Sequence, residues 1–165
     1  MKIMKIAMAC VALTGGGCAM AREEGAVPPV VRHAHTGRWT AVKDEIWPKE
    51  LAIYEGRSRG DLSLYLASTA TDYIAWPPFN EVPKGNEGLR ATGASMAGKT
   101  KERLEMTFLD MALNGDTAVV YYKTHRTMLA DGTPVDQHYE VTHTWIVQDG
   151  TWKVLGGMAR ARPER

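Results

Sequence analysis

The chain has 165 residues, with 20 basic and 19 acidic side chains and a formal net charge of +1. This length accommodates one domain with a hydrophobic core of its own. Charged residues make up 24% and hydrophobic residues 44% of the sequence, as in ordinary globular proteins, which argues against wholesale disorder. A near-neutral chain lacks the broad basic surface that nucleic-acid binding requires, so we expect no nucleic-acid partner.

The first 21 residues follow the order of an export signal. Lys2 and Lys5 precede a short apolar run over residues 6–13, and small residues follow it. The apolar run is too short to span a bilayer. We therefore predict a protein of the bacterial periplasm or envelope, with residues 1–21 as its signal peptide and residues 22–38 as a flexible tether.

Two cleavage sites compete at the end of this signal. Small residues stand three and one positions before Arg22, which suits ordinary signal removal. Gly17-Cys18 instead resembles the junction of bacterial lipoproteins, where residues 1–17 would be removed and the lipidated Cys18 would tether the protein to a membrane. Lipoproteins usually carry leucine three residues before that cysteine, whereas Leu13 lies five before it. Either cut leaves a domain without a disulfide or a thiol nucleophile.

The first part of the domain predicts two helices and a strand. Residues 39–57 show loosely helical apolar spacing, and Pro48 within them predicts a kink or a break. Asp61 suits the N-cap of a short helix over residues 62–66. Alternating residues then predict a strand over residues 71–76, which two prolines end. The apolar positions of the first helix are Val42, Ile46, Leu51, Ile53 and Tyr54.

Residues 93–100 match the nucleotide-binding pattern G-x-x-x-x-G-K-[ST] letter for letter. That pattern binds phosphates only when a buried strand precedes it and a helix follows it. Residues 86–92 contain one large apolar residue, Leu89, and hairpins follow the pattern. We therefore predict a short helix over residues 87–90, a flexible loop of small residues beside the pocket, and no cofactor.

Three turn signals divide the second half of the chain into four antiparallel strands. Asn114-Gly115, Asp131-Gly132 and Asp149-Gly150 all suit two-residue hairpin turns, whose central residues take positive φ. The segments after these turns are rich in Val, Thr, Tyr and Trp, which favour strands. Helices followed by a mostly antiparallel sheet define an α+β fold. The segments run over residues 117–129, 135–148 and 151–160.

The hairpin turns also predict which strand residues share a face of the sheet, since pairing fixes the register. The more apolar face should pack against the helices. That face holds Leu109, Met111, Ala118, Val120, Tyr122, Val141, His143, Trp145, Trp152, Val154 and Met158. The opposite face holds Phe108, Asp110, Val119, Tyr121, Lys123, His125, His138, Glu140, Thr142, Thr144 and Lys153.

His143 stands out as a polar residue on the predicted buried face. The predicted register sets Gly156 beside it, and a histidine beside a glycine has room for a ligand and a pKa that burial can tune. The alternative is a core histidine satisfied by a backbone or tyrosine hydrogen bond. Near the rim of the same face, Glu105 is predicted to pair with Thr124.

His125 and His138 are predicted to lie opposite each other on the other face, with Asp136 and Glu140 nearby. Two imidazoles and a carboxylate could hold zinc. An exposed cross-strand pair is the simpler interpretation, and we expect no metal.

The order of these elements resembles the SnoaL-like branch of the nuclear transport factor 2-like superfamily. The resemblance covers residues 39–160, with 161–165 as a tail, and rests on the strand that ends in Trp-Pro-Pro and on the two closing hairpin segments, residues 142–145 and 149–154. It implies helices wrapped with a curved sheet into a cone-shaped pocket, and a homodimer. Members of this superfamily include isomerases, polyketide cyclases, dehydratases, ligand-binding modules and assembly domains, so the fold alone implies no single activity.

The resemblance also implies where a site would lie. By position, Asp72 and Tyr73 match the carboxylate and aromatic pair of the isomerase members, whereas Met158 stands where members often carry a histidine. The catalytic candidates are His143 or Asp72 as base, with Tyr122 or Tyr73 as donor to a developing oxyanion. The residues expected to line the pocket are Tyr54, Trp76, Glu105, Thr124, Trp145 and Met158.

Two functions fit these residues. The first is binding of a small, largely apolar organic molecule without catalysis. The second is a cofactor-independent proton-transfer enzyme of the isomerase, cyclase or dehydratase type. A pocket that holds only His143 would favour binding, and polar side chains that converge there would favour the enzyme. Because the sequence shows no recognisable catalytic triad, metal cluster or cofactor fingerprint, we favour binding.

Overall fold

A computed structural model describes residues 37–162, which belong to one compact unit. The predicted signal peptide, Cys18 and most of the predicted tether lie outside the described residues, and the first helix begins two residues before the predicted domain boundary. The elements are α1 (Gly37–Ser58), α2 (Ser63–Ser68), β1 (Thr69–Trp76), α3 (Asn86–Met96), β2 (Arg103–Asn114), β3 (Thr117–Met128), β4 (Pro134–Gln148) and β5 (Thr151–Ala161).

The five strands form one sheet in the order β1-β5-β4-β3-β2. Strands β2 to β5 are an antiparallel meander, and β1 joins its end parallel to β5. The helices pack against one face of this curved, mixed sheet, and the predicted α+β fold is confirmed. Within residues 37–162, no helix combines the length and apolar character that a membrane crossing needs.

Helix α1 contacts the sheet through one stripe of buried residues. The helix continues through Pro48, whose side chain is on the exposed side, so the predicted break does not occur. The cost of its missing N–H is offset by the buried positions on both sides of it. Leu51 was predicted to face inward and is 42% exposed, because the stripe passes through Glu50 instead. The buried residues are Val42, Ile46, Glu50, Ile53 and Gly56.

The two shorter helices differ in length from the prediction. Helix α2 begins at Ser63, one residue later than predicted, and its N-cap is Leu62 rather than Asp61. Asp61 Oδ1 still accepts the backbone N–H of Ser63, at 2.8 Å, from the position before the cap. Helix α3 includes residues 93–96, which were predicted to be a loop. Met96 anchors that end with 6% exposure, and this burial outweighs the low helix propensity of Gly and Ser.

The nucleotide-binding pattern therefore lies at the wrong end of a helix. Residues 93–96 are the last residues of α3, and the chain leaves the helix through Gly98 at φ 74°. A phosphate-binding loop opens a helix at its N-terminus, where backbone N–H groups are free. Here the same residues meet the carbonyl end of α3, so the pattern does not form a phosphate-binding loop.

The hairpins agree with the predicted turns to different degrees. Asp149 and Gly150 both adopt positive φ, 52° and 74°, as a two-residue turn requires. The turn near Asp131 widens into residues 129–133, where the N–H of Leu129 bonds the carbonyl of Thr133 at 2.9 Å. The first turn lies one residue later than predicted: its two central residues are 115–116, and Asn114 pairs with Thr117.

A β-bulge at Leu109 then exchanges the two faces of β2. Phe108 pairs with Tyr122 while Asp110 pairs with Tyr121, so one residue is left over between them. Phe108 consequently packs against the core and Leu109 is 49% exposed, the reverse of the prediction. Glu105 pairs with His125 rather than Thr124 and is exposed.

A second bulge, at Leu155, shifts the end of β5 in the same way. Trp145 still pairs with Val154 as predicted, but beyond the bulge His143 faces Gly157 rather than Gly156. Met158 was predicted to be buried and is 55% exposed. The rest of the predicted inner face is confirmed, with burial of Met111, Ala118, Val120, Tyr122, Val141, His143, Trp145, Trp152 and Val154.

The close approach of β1 to β5 depends on Gly156, where a Cβ atom would stand 1.9 Å from the carbonyl oxygen of Ile74. We expect Gly156→Ala to lower the free energy of unfolding by about 3 kcal/mol, since backbone must move to relieve the overlap. Urea unfolding followed by tryptophan fluorescence measures this change.

Gly93→Ala is the matched control. Its Cβ would meet only Leu62 Cβ at 3.5 Å, an ordinary contact inside helix α3. We expect this substitution to stabilise the protein by about 0.5 to 1 kcal/mol. Equal unfolding midpoints for Gly156→Ala and the wild type would contradict the role given to Gly156.

Candidate active site

A cavity of about 370 Å³ lies between the helices and the inner face of the sheet. Helices α1, α2 and α3, the chain between β1 and α3, and all five strands of the sheet contribute residues to its lining. Its apolar lining includes Leu62, Trp76, Phe79, Leu89, Leu104 and Val141. Its polar lining includes Tyr54, Arg57, Tyr65, Tyr73, Lys84, Arg126 and His143.

A buried carboxylate holds His143 at the wall of this cavity. His143 Nδ1 lies 2.9 Å from Glu50 Oε2 and 3.0 Å from Oε1, with the two side chains 5% and 0% exposed. Trp145 Nε1 donates to Glu50 Oε1 at 2.7 Å. Because a carboxylate only accepts hydrogen bonds, Nδ1 carries the proton of this contact, so in the neutral imidazole Nε2 is the acceptor.

Two tyrosine hydroxyls extend the series of hydrogen bonds from His143 Nε2. The Tyr65 hydroxyl lies 3.0 Å from Nε2, and the Tyr73 hydroxyl lies 3.2 Å from that of Tyr65. All three side chains line the cavity. The result is a continuous series of hydrogen bonds from Glu50 through His143 to the cavity.

A second pair of tyrosines packs around the imidazole. The Tyr122 hydroxyl lies 3.1 Å from that of Tyr54 and 3.4 Å from Glu50 Oε2, so its single proton has two acceptors. The Tyr54 ring stacks on His143 at 6.5 Å between centroids, and the Tyr122 ring meets His143 edge-on at 5.7 Å. These contacts fix the orientation of the ring.

Burial keeps the four phenols in their protonated form. It raises the pKa of Tyr54 to about 12 and the pKa of Tyr65 and Tyr122 well above the usual value of a phenol. The negative charge of Glu50 contributes further to the raised pKa of Tyr122. Burial also raises the pKa of Tyr73. At neutral pH these hydroxyls are therefore hydrogen-bond donors, and they do not act as bases.

The predicted site residues divide into three groups. Those that line the cavity are His143, Tyr73, Tyr54, Trp76, Thr124 and Met158. Tyr122 and Trp145 are buried behind His143 and hold it or Glu50. Asp72 and Glu105 are exposed and outside the lining, because the irregular start of β1 turns Tyr73 inward and the register of β2 turns Glu105 outward.

Sequence reasoning missed Glu50 and Tyr65, although a signal for Glu50 was present. Glu50 continues the buried stripe of α1 between Ile46 and Ile53, four residues after one and three before the other. A carboxylate at an apolar position of a helix must find donors in the core. Tyr65 lies in a six-residue helix, which is too short for its sequence spacing to indicate a face.

Arg57, Glu102 and Arg126 form a second buried polar group that the sequence did not reveal. Glu102 Oε1 accepts from Arg57 Nη2 at 3.0 Å and from Arg126 Nη1 at 3.3 Å. The Glu102 side chain is 1% exposed, and both arginines line the cavity. The group joins the end of α1 to β3.

On the other face, His125 and His138 pair as predicted and stack with 4.1 Å between ring centroids. Asp136 Oδ1 lies 2.6 Å from His125 Nε2 and 3.2 Å from His138 Nε2. Among residues 37–162 this is the group whose ligand atoms lie close enough to share a metal ion, within 4.8 Å of one another. The shared carboxylate already provides each imidazole with a partner.

Comparison with known proteins agrees with this architecture. The SnoaL-like domain family matches residues 51–155, so the chain belongs to that family. No curated protein matches the chain significantly.

Solved structures share the fold at low sequence identity. An NTF2-like protein from Cytophaga hutchinsonii is 22% identical over 73% of this chain and 98% of its own, with a TM-score of 0.60. A proposed dehydratase of the NTF2-like family from Streptomyces avermitilis is 19% identical over 76% and 99%, with a TM-score of 0.65. A proposed ketosteroid isomerase from Parabacteroides distasonis is 17% identical over 73% and 88%, with a TM-score of 0.58.

The raised phenol pKa values predict a loss of stability at alkaline pH. A tyrosine in the unfolded chain ionises near pH 10, whereas Tyr54 in the folded protein ionises at about 12. The stabilisation is present in full below pH 10 and is lost as the pH rises through about 12. Absorbance at 295 nm should show a late group of phenols, and urea unfolding at each pH should show the decline. Titration of every tyrosine near pH 10 would contradict the buried network.

Proposed function

We propose that the cavity binds a small, largely apolar organic molecule and that His143 moves a proton on it. The reaction is of the isomerase or dehydratase type and needs only side-chain acids and bases. The observation that carries the proposal is the series of hydrogen bonds from buried Glu50 through His143 to Tyr65 at the cavity wall. Polar side chains that converge in the pocket favour an enzyme over simple binding.

His143 is the base in this proposal. Glu50 holds the Nδ1 proton, which orients the ring and stabilises the imidazolium that forms when Nε2 takes a proton. The substrate C–H occupies the side of Nε2 where the Tyr65 hydroxyl now lies. Glu50 has 0% exposure and does not line the cavity, so it acts through His143 as a positioning residue.

Tyr65 and Tyr73 are the donors to the substrate oxygen. Both phenols stay protonated at neutral pH, since burial raises their pKa. Removal of a proton next to a carbonyl group places negative charge on the carbonyl oxygen, and neutral phenols stabilise such an oxyanion by hydrogen bonds. The apolar walls lower the local dielectric around the substrate, which strengthens these bonds.

The proton then leaves His143 in one of two ways that balance the reaction. Returned to a different carbon of the enolate, it completes an isomerisation. Delivered to a hydroxyl group on the β-carbon, it releases water and leaves a C=C bond, which completes a dehydration. Two of the solved structures with this fold are described as a proposed dehydratase and a proposed ketosteroid isomerase.

Binding without catalysis is the second candidate. His143 is only 5% exposed, and Tyr65 already satisfies its Nε2 atom, as in a structural core histidine. The cavity and its apolar walls would serve such a module equally well. The two candidates differ in whether a change at His143 affects chemistry or only stability.

Deuterium exchange distinguishes them without knowledge of the product. We expect the full-length protein to catalyse incorporation of solvent deuterium next to the carbonyl group in members of a panel of enones and β-hydroxy ketones, followed by proton NMR. His143→Gln should slow this exchange about 100-fold or more, the usual contribution of a general base. Glu50→Gln keeps the shape and removes the charge that stabilises the imidazolium, so we expect an intermediate loss.

His125→Gln is the matched control, because His125 lies on the other face and is not part of the cavity lining. It should leave the exchange rate unchanged. If His143→Gln is folded and exchanges as fast as the wild type, His143 is not the base. Binding of a panel member without exchange would leave the non-catalytic module as the function.

Export to the bacterial envelope and assembly as a homodimer are further parts of the proposal. The basic and apolar order of residues 1–21 supports export, and the family resemblance supports the dimer. Native mass spectrometry of protein purified from the envelope should give a dimer of chains that begin at Arg22 or at a lipidated Cys18. Recovery of the uncut chain from the cytoplasm would contradict export.

A further inference from the structure

The cavity wall carries positive charge, and none of its described lining residues is acidic. Arg57, Lys84 and Arg126 contribute three cationic side chains to the lining. The two buried carboxylates near it lie behind lining residues: Glu50 holds His143, and Glu102 lies between the two arginines. The charged side chains that a ligand meets in the described lining are therefore all cationic.

The Arg57–Glu102–Arg126 group is not electrically balanced within itself. One carboxylate oxygen, Glu102 Oε1, accepts from both guanidinium groups, which leaves one formal positive charge over. Arg126 is fully engaged, because its Nε and Nη2 atoms also donate to Gln137 and Tyr139. Thus Arg126 is hydrogen-bonded at all three of its nitrogen atoms, whereas Arg57 is hydrogen-bonded at one within residues 37–162.

Arg57 is the arginine with unused donors. Its described contact to Glu102 is made end-on through Nη2. Its Nε atom is buried and has no hydrogen-bond partner among the residues that the structure describes, and the same holds for Glu102 Oε2. An arginine normally binds a planar anion through two parallel N–H groups, so this side chain has capacity for a further acceptor.

We propose that the ligand carries a carboxylate, which Arg57 binds while the apolar body of the ligand lies against Trp76, Phe79 and Leu89. The inference rests on the proposed function, since it names the class of substrate for the same cavity. The Arg57–Glu102–Arg126 group carries one uncompensated positive charge, which one carboxylate would neutralise. The substrate class is therefore a small organic acid with an apolar body.

The position of Arg57 on α1 connects this anchor to the base. Glu50, Tyr54 and Arg57 follow one another at intervals of four and three residues, which places them along one side of the helix. The guanidinium group thus stands on the same helix face as the carboxylate that holds His143. An acid anchored at Arg57 extends along this wall towards the imidazole, which fixes the carbon that loses its proton.

Matched pairs of an acid and its amide test the inference, because the two differ in charge and hardly in shape. We would measure binding of phenylacetate against phenylacetamide, and of naphthaleneacetate against naphthaleneacetamide, to the full-length protein by calorimetry. The acid of at least one pair should bind about tenfold more tightly, since hydrogen bonds to an ionised group are roughly twice as strong as neutral ones. Arg57→Gln should bring this ratio close to one, chiefly because the affinity for the acid falls.

Glu102→Gln provides a second variant with the opposite expected sign. It keeps an acceptor for both arginines and removes the buried charge that neutralises one of them. The ratio of acid to amide affinity should therefore rise severalfold, a result that a merely structural role for Glu102 would not produce. This variant tests the inference even where Arg57→Gln fails to fold.

Several outcomes would overturn the inference. Equal affinities for acid and amide in every pair, a failure of every acid to bind, or a ratio that Arg57→Gln and Glu102→Gln leave unchanged would each do so. His143→Gln should keep the preference for the acid. Deuterium exchange without acid preference would overturn this inference alone, whereas acid preference without deuterium exchange would contradict the proposed catalysis alone.

Discussion

The architecture depends on satisfying one buried carboxylate, that of Glu50. A charged group without water is costly unless it is fully hydrogen-bonded, and here donors from two strands surround it: the indole of Trp145, the imidazole of His143 and the hydroxyl of Tyr122. Sliding or rotating α1 on the sheet would orphan all of these groups together. Because Ile46 and Ile53 flank Glu50 on the same stripe, apolar packing and hydrogen bonding favour the same position of the helix.

The same polar contacts build the cavity. Glu50 joins the middle of α1 to β4, and Arg57 joins the end of α1 to β3 through Glu102 and Arg126. The cavity beside these two connections is lined by phenols and apolar side chains. A cavity held open in this way keeps its donors in place before a ligand arrives, which is the condition for preorganised catalysis.

The parts of the fold that local chemistry determines could be predicted from the sequence. Asp149-Gly150 forms the expected turn, and the alternation of β3 and β4 places Val120, Tyr122, His143 and Trp145 on the buried face as predicted. The bulges at Leu109 and Leu155 could not be predicted from the sequence. A bulge accommodates the curvature of the whole sheet, and the sequence of a single strand contains no periodic pattern that marks its position. Each bulge reversed the faces beyond it, which exposed Leu109 and moved Gly157 beside His143.

Which carboxylates belong to the site depends on whether they are buried or exposed. His143 was identified because a polar residue interrupts an apolar face, and the same rule applies to Glu50, which interrupts the stripe of α1. Acidic residues are common on the exposed side of helices, so the residue type alone does not identify Glu50. Its position among the apolar residues of the buried stripe does. Asp72 has a carboxylate on an irregular strand that leaves it exposed, and it has no part in the cavity. A buried acid is stable only where hydrogen-bond donors offset its desolvation. The donors around Glu50 and Glu102 therefore indicate a function better than the positional match of Asp72 to the isomerase members does.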